Sequence, residues 1–411
     1  MMRLHPFRLA ALKSNFFTRK INDNSYRYLY TSNFLGIDNF IESQKRQNEQ
    51  FGDMRESNEQ KSLSSVIFSD DLKNSTFLTK SEEEFELLQQ LIKRYTSQSQ
   101  GVRFSSFVFG PVVLRLCHTL NKPEAALAFM QNEVTLVTNC NKEYGDFFQQ
   151  ITSYTLTADL LLKRKMYAQI LDLYDHFKNK SSLKDIYPRL LTVYVFAACY
   201  KLVSYEIYFR VKLSEMNFLQ NTPESFKYAV DLLSDIKKND GTVLRRSVAF
   251  MSALALQQND FVYALEVLSL MTTSHSYVTI RNLRIRALCQ VGRLDDALML
   301  LRACIRDDRP TNLGHKELSI LDETLSQVKQ AVDTRNDKET TSEFLQIDRA
   351  LREYNFVDNR SFDEVIMELE NPERNQTDAI EETGVRRRPI NEFRKFNSRQ
   401  FKRQGIIDNV E

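Results

Sequence analysis

Few side chains in this sequence have the type and spacing that chemistry needs. Five cysteines (Cys117, Cys140, Cys199, Cys289 and Cys304) and five histidines are scattered along 411 residues. They form no CxxC pair and no HExxH helix, and the glycines form no phosphate loop, GxGxxG turn or GxSxG elbow. Cys117 and His118 adjoin, but neighbouring helix residues point about 100° apart and make no nucleophile–base pair. An odd, scattered set of thiols in a long chain fits a reducing compartment and inert, buried positions. SEEEFE at Ser81 reads as a helix start rather than an acidic metal site. No catalysis, metal or cofactor is expected. What remains is charge and hydrogen bonding, concentrated in Arg245, Arg246, Arg281, Arg284, Arg286 and Asn282.

Helices must position these residues. Ten glycines and eight prolines in a chain this long leave few turns, and Leu, Ala, Lys, Glu and Gln are plentiful, which points to an all-α protein. No apolar run reaches the ~18 residues of a membrane span. The net charge of +2 names no partner. The clearest unit is Tyr277 to Pro310. Ile280, Leu283, Ala287 and Val291 recur at helical spacing, Gly292 breaks the run, and Leu294, Ala297, Leu298, Leu301 and Ile305 start a second stripe. A hairpin of two amphipathic helices cannot bury both faces alone, so it requires similar neighbours.

Those neighbours can be read off the chain. Phe104–Leu120 with Glu124–Glu133, Phe147–Leu162 with Tyr167–Lys178, and Leu244–Gln257 with Phe261–Met271 form hairpins. Tyr187–Leu202 is a further first helix, and Thr222, Pro223 and Glu224 start a helix that ends near Gly241. Second helices share a small-then-large apolar pair, at Ala126-Leu127, Ile170-Leu171, Ala229-Val230, Ala264-Leu265 and Ala297-Leu298. The last two steps are 35 and 33 residues, but Ile170 to Ala229 is 59, too long for one unit and short for two. Val203 to Gln220 sits in that long step. Its ends can be encoded as a splice donor and acceptor, so it reads either as a translated intron or as a genuine extra helix.

The chain divides as follows. Residues 1–30 are basic, nearly acid-free and weakly amphipathic, the pattern of a mitochondrial transit peptide, with cleavage near Arg27 to Tyr30. The alternative is a basic tail on a cytosolic protein. Residues 31–103 form an N-terminal helical cap, with a helix over Asn33–Gln44, a polar linker over Lys45–Ser75 and a capping box at Ser81 and Glu84. Residues 104–313 hold the repeats, with 203–220 in question. Residues 314–370 form a C-terminal cap, with helices over Lys316–Val332 and Ser342–Tyr354. Residues 371–411 are a basic, disordered tail with interleaved phenylalanines, suited to single-stranded RNA or to a ribosome or membrane surface.

The core LCQVGRLDDALMLLRAC resembles the pentatricopeptide repeat family, in its Leu-Cys pair, Gly-Arg-Leu turn, acidic residues and Ala-Leu pair. Proline near the unit's end also fits. The resemblance is co-linear with most of the chain after the leader, and Val203–Gln220 departs from it. It implies a right-handed α-solenoid of degenerate pentatricopeptide-type hairpins, with helical caps and disordered termini. It also implies a mitochondrial matrix protein that binds single-stranded RNA or associates with it. The expected role is in mitochondrial RNA maturation and processing, and thereby respiratory-chain expression, with no catalytic domain. In the family scheme a polar residue early in the first helix and another at the unit boundary contact a base. These positions fall on Asn282 and on Thr311 or Asn312.

An ideal helix places Asn282 and Arg286 opposite the Ile280, Leu283, Ala287 stripe, and so exposes them together. An amide can both donate to and accept from a base edge. Arg245, Arg246, Arg281, Arg284 and Arg286 would line one groove and attract phosphates, or else form a solvated salt-bridge surface with Asp295 and Asp296. The preceding hairpin has Ala249 at the equivalent position, and Thr155 and Asp185 are counterparts further back. Processing factors and the mitochondrial ribosome are the expected further partners. The alternatives to RNA binding are a structural part of that ribosome and a protein-binding helical scaffold.

Overall fold

A computed structural model of the chain describes residues 29–51, 66–98, 107–131, 147–179, 187–212, 224–271, 277–305 and 319–368. The basic leader before Leu29, residues 213–220, Asp185, Thr311, Asn312 and the basic tail lie outside them. The described residues are all-α, with one two-stranded ladder. Before the repeats come α1 (Ile37–Phe51), α2 (Ser69–Leu78) and α3 (Glu82–Ser97). Six helical hairpins follow: α4 (Phe109–Leu120) with α5 (Pro123–Gln131), α6 (Ile151–Lys163) with α7 (Tyr167–Asn179), α8 (Arg189–Lys212) with α9 (Glu224–Lys238), α10 (Arg245–Gln257) with α11 (Phe261–Ser269), α12 (Val278–Val291) with α13 (Leu294–Ile305), and α14 (Asp322–Arg335) with α15 (Lys338–Glu353). The strands β1 (Ile320–Leu321) and β2 (Val357–Asp358) pair in parallel, and α16 (Phe362–Ile366) follows.

First helices form one row, α4 on α6 on α8 on α10 on α12 on α14. This is the stacking that a hairpin needs if it cannot bury both of its faces alone. The described turns inside hairpins repeat one geometry. A single left-handed residue ends the first helix, and the second helix starts two positions later. The left-handed residues are Asn121, Lys165, Asn259, Gly292 and Asn336. In four of these turns the next N–H donates five residues back at 2.9 Å, as in Lys122 to the Cys117 carbonyl and Arg293 to the Leu288 carbonyl. This is the bond that closes a helix C-terminus when a left-handed residue is present. Asparagine and glycine tolerate the left-handed region, and Lys165 is the strained exception at φ 61°.

Several expected boundaries move. The polar linker is shorter at both ends, since α1 continues to Phe51 and α2 begins at Ser69. The Ser81–Glu84 capping box forms as expected. The folded core begins before Thr31: Leu29 is fully buried and Tyr30 nearly so, its ring 5.8 Å from that of Tyr194. Backbone helix α8 runs past Leu202 into the questioned segment as far as Lys212, with Val203 buried. The β1–β2 ladder has no counterpart in the sequence reading.

The first helices are far more buried than one apolar stripe requires. On α6 every residue from Ser153 to Leu162 is buried, on α10 every residue from Arg246 to Ala255. A helix that buries its whole circumference has neighbours on all sides. On α4, α8, α10 and α12 the extra cover comes from the two ends of the described chain. Leu29 and Tyr30 lie against α8 and α10, α1 and α2 pack on α4, and α16 packs on α10 and α12.

Candidate nucleic-acid interface

Helix α12 carries most of the expected site. Gly292, at φ 85°, ends it, and Ile280, Leu283 and Ala287 are buried as the period predicts. The opposite face is buried as well. Asn282 is 0% exposed: its Nδ2 donates to the Val278 carbonyl at 2.8 Å and the Ser319 carbonyl at 3.4 Å. Its Oδ1 accepts from the Leu321 N–H at 2.9 Å. The expectation that Asn282 and Arg286 stand exposed together is therefore overturned. The period located one buried stripe correctly, but β1, α14 and α16 cover the other side.

Arg286 is also buried. Its Nε donates to Gln327 Oε1 at 2.9 Å, and its guanidinium lies 4.8 Å from the centre of the Phe362 ring. Burial lowers its pKa, with Glu323 and Tyr200 opposing that shift. Arg246 reaches both ends of the described chain. Nη1 donates to the Leu29 carbonyl, and Nη2 donates to the carbonyls of Ile366 at 3.3 Å and Glu368 at 2.5 Å. Its guanidinium sits 5.6 Å from the Tyr30 ring centre. A cation at these carbonyls closes the C-terminal end of α16, where the helix dipole favours positive charge.

The remaining cations do not gather into one open groove. Arg281 is buried. Arg284 is half-buried, and its Nη2 donates to the carbonyls of Leu268 at 3.2 Å and Met271 at 3.5 Å, at the end of α11. Burial lowers its pKa. Arg245 is half-exposed and stacks on Tyr277, 3.6 Å from the ring centre. Thr155 and Ala249 are buried on their first helices. Thr311, Asn312 and Asp185 lie outside the described residues.

Two groups on the first helices were not anticipated. Lys201, in the FAACYKL run of α8, pairs with Asp363 of α16 at 2.6 Å. It is the first charge after ten buried or nearly apolar positions, a signal visible in the sequence. The second group is a buried chain of hydrogen bonds across three first helices. His118 Nε2 meets Asp159 Oδ2 at 2.8 Å, and the Tyr194 hydroxyl donates to Asp159 Oδ1 at 2.8 Å. Cys117 next door is inert, because burial pushes its thiol far above the ordinary range. Among the described residues no group of three or more His, Cys, Asp or Glu side chains is placed to hold a metal, and no helix is long and apolar enough to cross a membrane.

A row of stacked helical hairpins with a repeated left-handed turn defines an α-solenoid, and its units resemble the pentatricopeptide class. More particularly, the chain is similar to curated proteins named "Pentatricopeptide repeat-containing protein 2, mitochondrial". It is 26% identical to the Xenopus laevis protein over 240 residues, covering 58% of this chain and 54% of that one. It is 24% identical to the Danio rerio protein over 317 residues, covering 75% and 74%. The Homo sapiens protein is 27% identical over 239 residues, covering 58% and 53%. For the first and last of these, the match spans about half the relative's length. No family model and no solved structure matches the chain.

Proposed function

We propose that this protein is an RNA-associated α-solenoid of the mitochondrial matrix, and that it acts in RNA maturation and thereby in respiratory-chain expression. The observation that carries this reading is the row of first helices, where Lys201, Arg246 and Arg286 stand with Tyr200 on one face of the stacked hairpins. Cations and aromatic rings on a helical repeat suit the phosphates and bases of single-stranded RNA. The relatives' name, which is that of mitochondrial pentatricopeptide repeat proteins, supports the compartment and the repeat class. The basic residues before Leu29 act as the import signal, and the burial of Leu29 and Tyr30 favours cleavage ahead of them.

Crosslinking the tagged protein to RNA inside mitochondria and sequencing what is recovered tests this. The expected outcome is a defined set of transcripts; recovery no higher than that of a charge-matched control protein would overturn it. One observation favours a second reading. The first-helix face is covered in the free chain, as a protein-binding scaffold or a structural part of the mitochondrial ribosome would tolerate. Salt separates the two, because phosphate contacts release counterions and their affinity falls steeply as salt rises.

A further inference from the structure

The segment after β2 is acidic, and it lies on the cationic side of the first helices. Asp363 pairs with Lys201, and the Phe362 ring receives the Arg286 guanidinium. The carbonyls of Ile366 and Glu368 accept from Arg246. Phe362, Val365, Ile366 and Met367 are buried against the stack. Arg360 holds the segment closed on itself, bonding Asp358 at 2.7 Å and Glu368 at 3.1 Å. Asn282 holds its root through β1, which pairs with β2. Its carboxylate, carbonyls and aromatic ring therefore meet the same cations and tyrosines that would meet the phosphates and bases of an RNA strand.

The composition of the covered face matters. Burying charged groups is expensive, and well-packed apolar residues of similar volume commonly replace a buried ion pair at no loss. A face whose only role was to be covered has no need of Lys201, Arg246, Arg286 and Tyr200 together. Burial, and after it the neighbouring Asp363 carboxylate, push the Tyr200 hydroxyl well above its ordinary range. The face has the chemistry of an anion-binding surface that already holds an anion.

We infer that residues 358–368 form an intramolecular strap that competes with single-stranded RNA for the first-helix face of α8, α10 and α12. This rests on the RNA-associated reading above. With the strap in place, Lys201 and Arg286 are withheld and RNA meets only peripheral cations such as Arg245. With the strap displaced, those two side chains and Tyr200 join the interface. The strap is a competitor of fixed local concentration, so it sets a threshold that an RNA must exceed.

The full chain, titrated with a short oligouridylate, tests the inference. Asp363→Lys weakens the strap at a half-exposed position, and Asp231→Lys, exposed on α9, makes the same charge change elsewhere. Asp363→Lys should tighten binding on the order of tenfold, within the usual range of coupling between linked sites. Asp231→Lys should leave binding close to wild type, and adding Lys201→Glu to Asp363→Lys should cancel the gain. Equal or weaker binding by Asp363→Lys, or an equal gain from Asp231→Lys, overturns the strap while leaving RNA association intact. If neither wild type nor variant binds, both readings fall. A second measurement needs no variant: in the wild-type chain, oligouridylate should speed amide exchange in residues 361–368, and unchanged or slower exchange there overturns the inference.

Discussion

The first and second helices of this stack use their charged residues in opposite ways. On the second-helix side, ion pairs link neighbouring units at the surface. Lys178 of α7 meets Asp235 of α9 at 2.9 Å, Lys237 of α9 meets Glu266 of α11 at 3.3 Å, and Arg302 of α13 meets Glu343 of α15 at 3.0 Å. All six side chains are a third or more exposed. On the first-helix side, Arg246, Arg281, Asn282 and Arg286 are buried. Arg246, Asn282 and Arg286 bond mainly to backbone groups and a neutral amide on other segments. The surface pairs set register between units. The buried groups attach the two ends of the described chain to the stack. Losing a surface pair exposes two groups to water, whereas losing a buried donor strands acceptors that water cannot reach.

That contrast ranks the effects of substitution. Arg246→Ala should be the most damaging, because it strands carbonyls at Leu29, Ile366 and Glu368 together; a loss of about 3 kcal/mol or more is expected in urea unfolding. A loss within the range of an exposed pair would show that the buried donors hold the fold no more tightly than the surface pairs. Asn282→Ala comes next, at about 2 kcal/mol, since the buried Leu321 N–H loses its acceptor. The same variant should loosen the β1–β2 ladder, visible as faster amide exchange at residues 319–321.

Turn substitutions come third and should change sign with the residue replaced. Gly292→Ala forces a side chain into the left-handed region and should cost about 1 kcal/mol, although open space surrounds the new methyl group. Lys165→Gly relieves that strain and should be neutral or stabilising by up to about 1 kcal/mol. Thermal melts of the two variants should move in opposite directions, or the Lys165 melt should not move at all. The smallest effect belongs to the surface pairs. Lys178→Ala and Asp235→Ala should each cost ~0.5 kcal/mol, and a double-mutant cycle should give a coupling no larger. Lys178 has its pKa raised by its hydrogen bond to Asp235, so this modest stability is kept at neutral pH and lost only as pH rises through the raised value.

The hairpins could be read in the sequence because their signals are local. The Ser81–Glu84 cap, the stripe at Ile280, Leu283 and Ala287, and Gly292 each act within a few residues. The turn rule was also in reach: Asn121, Asn259 and Asn336 stand two positions before a helix, as Gly292 does, but of the four only the glycine reads as a stop from the sequence. The cover over the first helices was not legible. A helical period shows that one face of α12 is buried; it carries no information about a segment some eighty residues later that lies on the opposite face. Asn282 looked like a base reader because a polar residue on that face belongs in water unless something supplies backbone partners. Ser319 and Leu321 supply them, and nothing in the spacing of α12 announces β1.

In the free protein the first-helix face is interior. Amide exchange of the full chain without RNA, read at residues 361–368, measures that cover. Exchange slowed well below the unstructured rate and comparable to that of α12 is the predicted result. Exchange at the unstructured rate, with α12 still protected, would show an uncovered face and contradict the account.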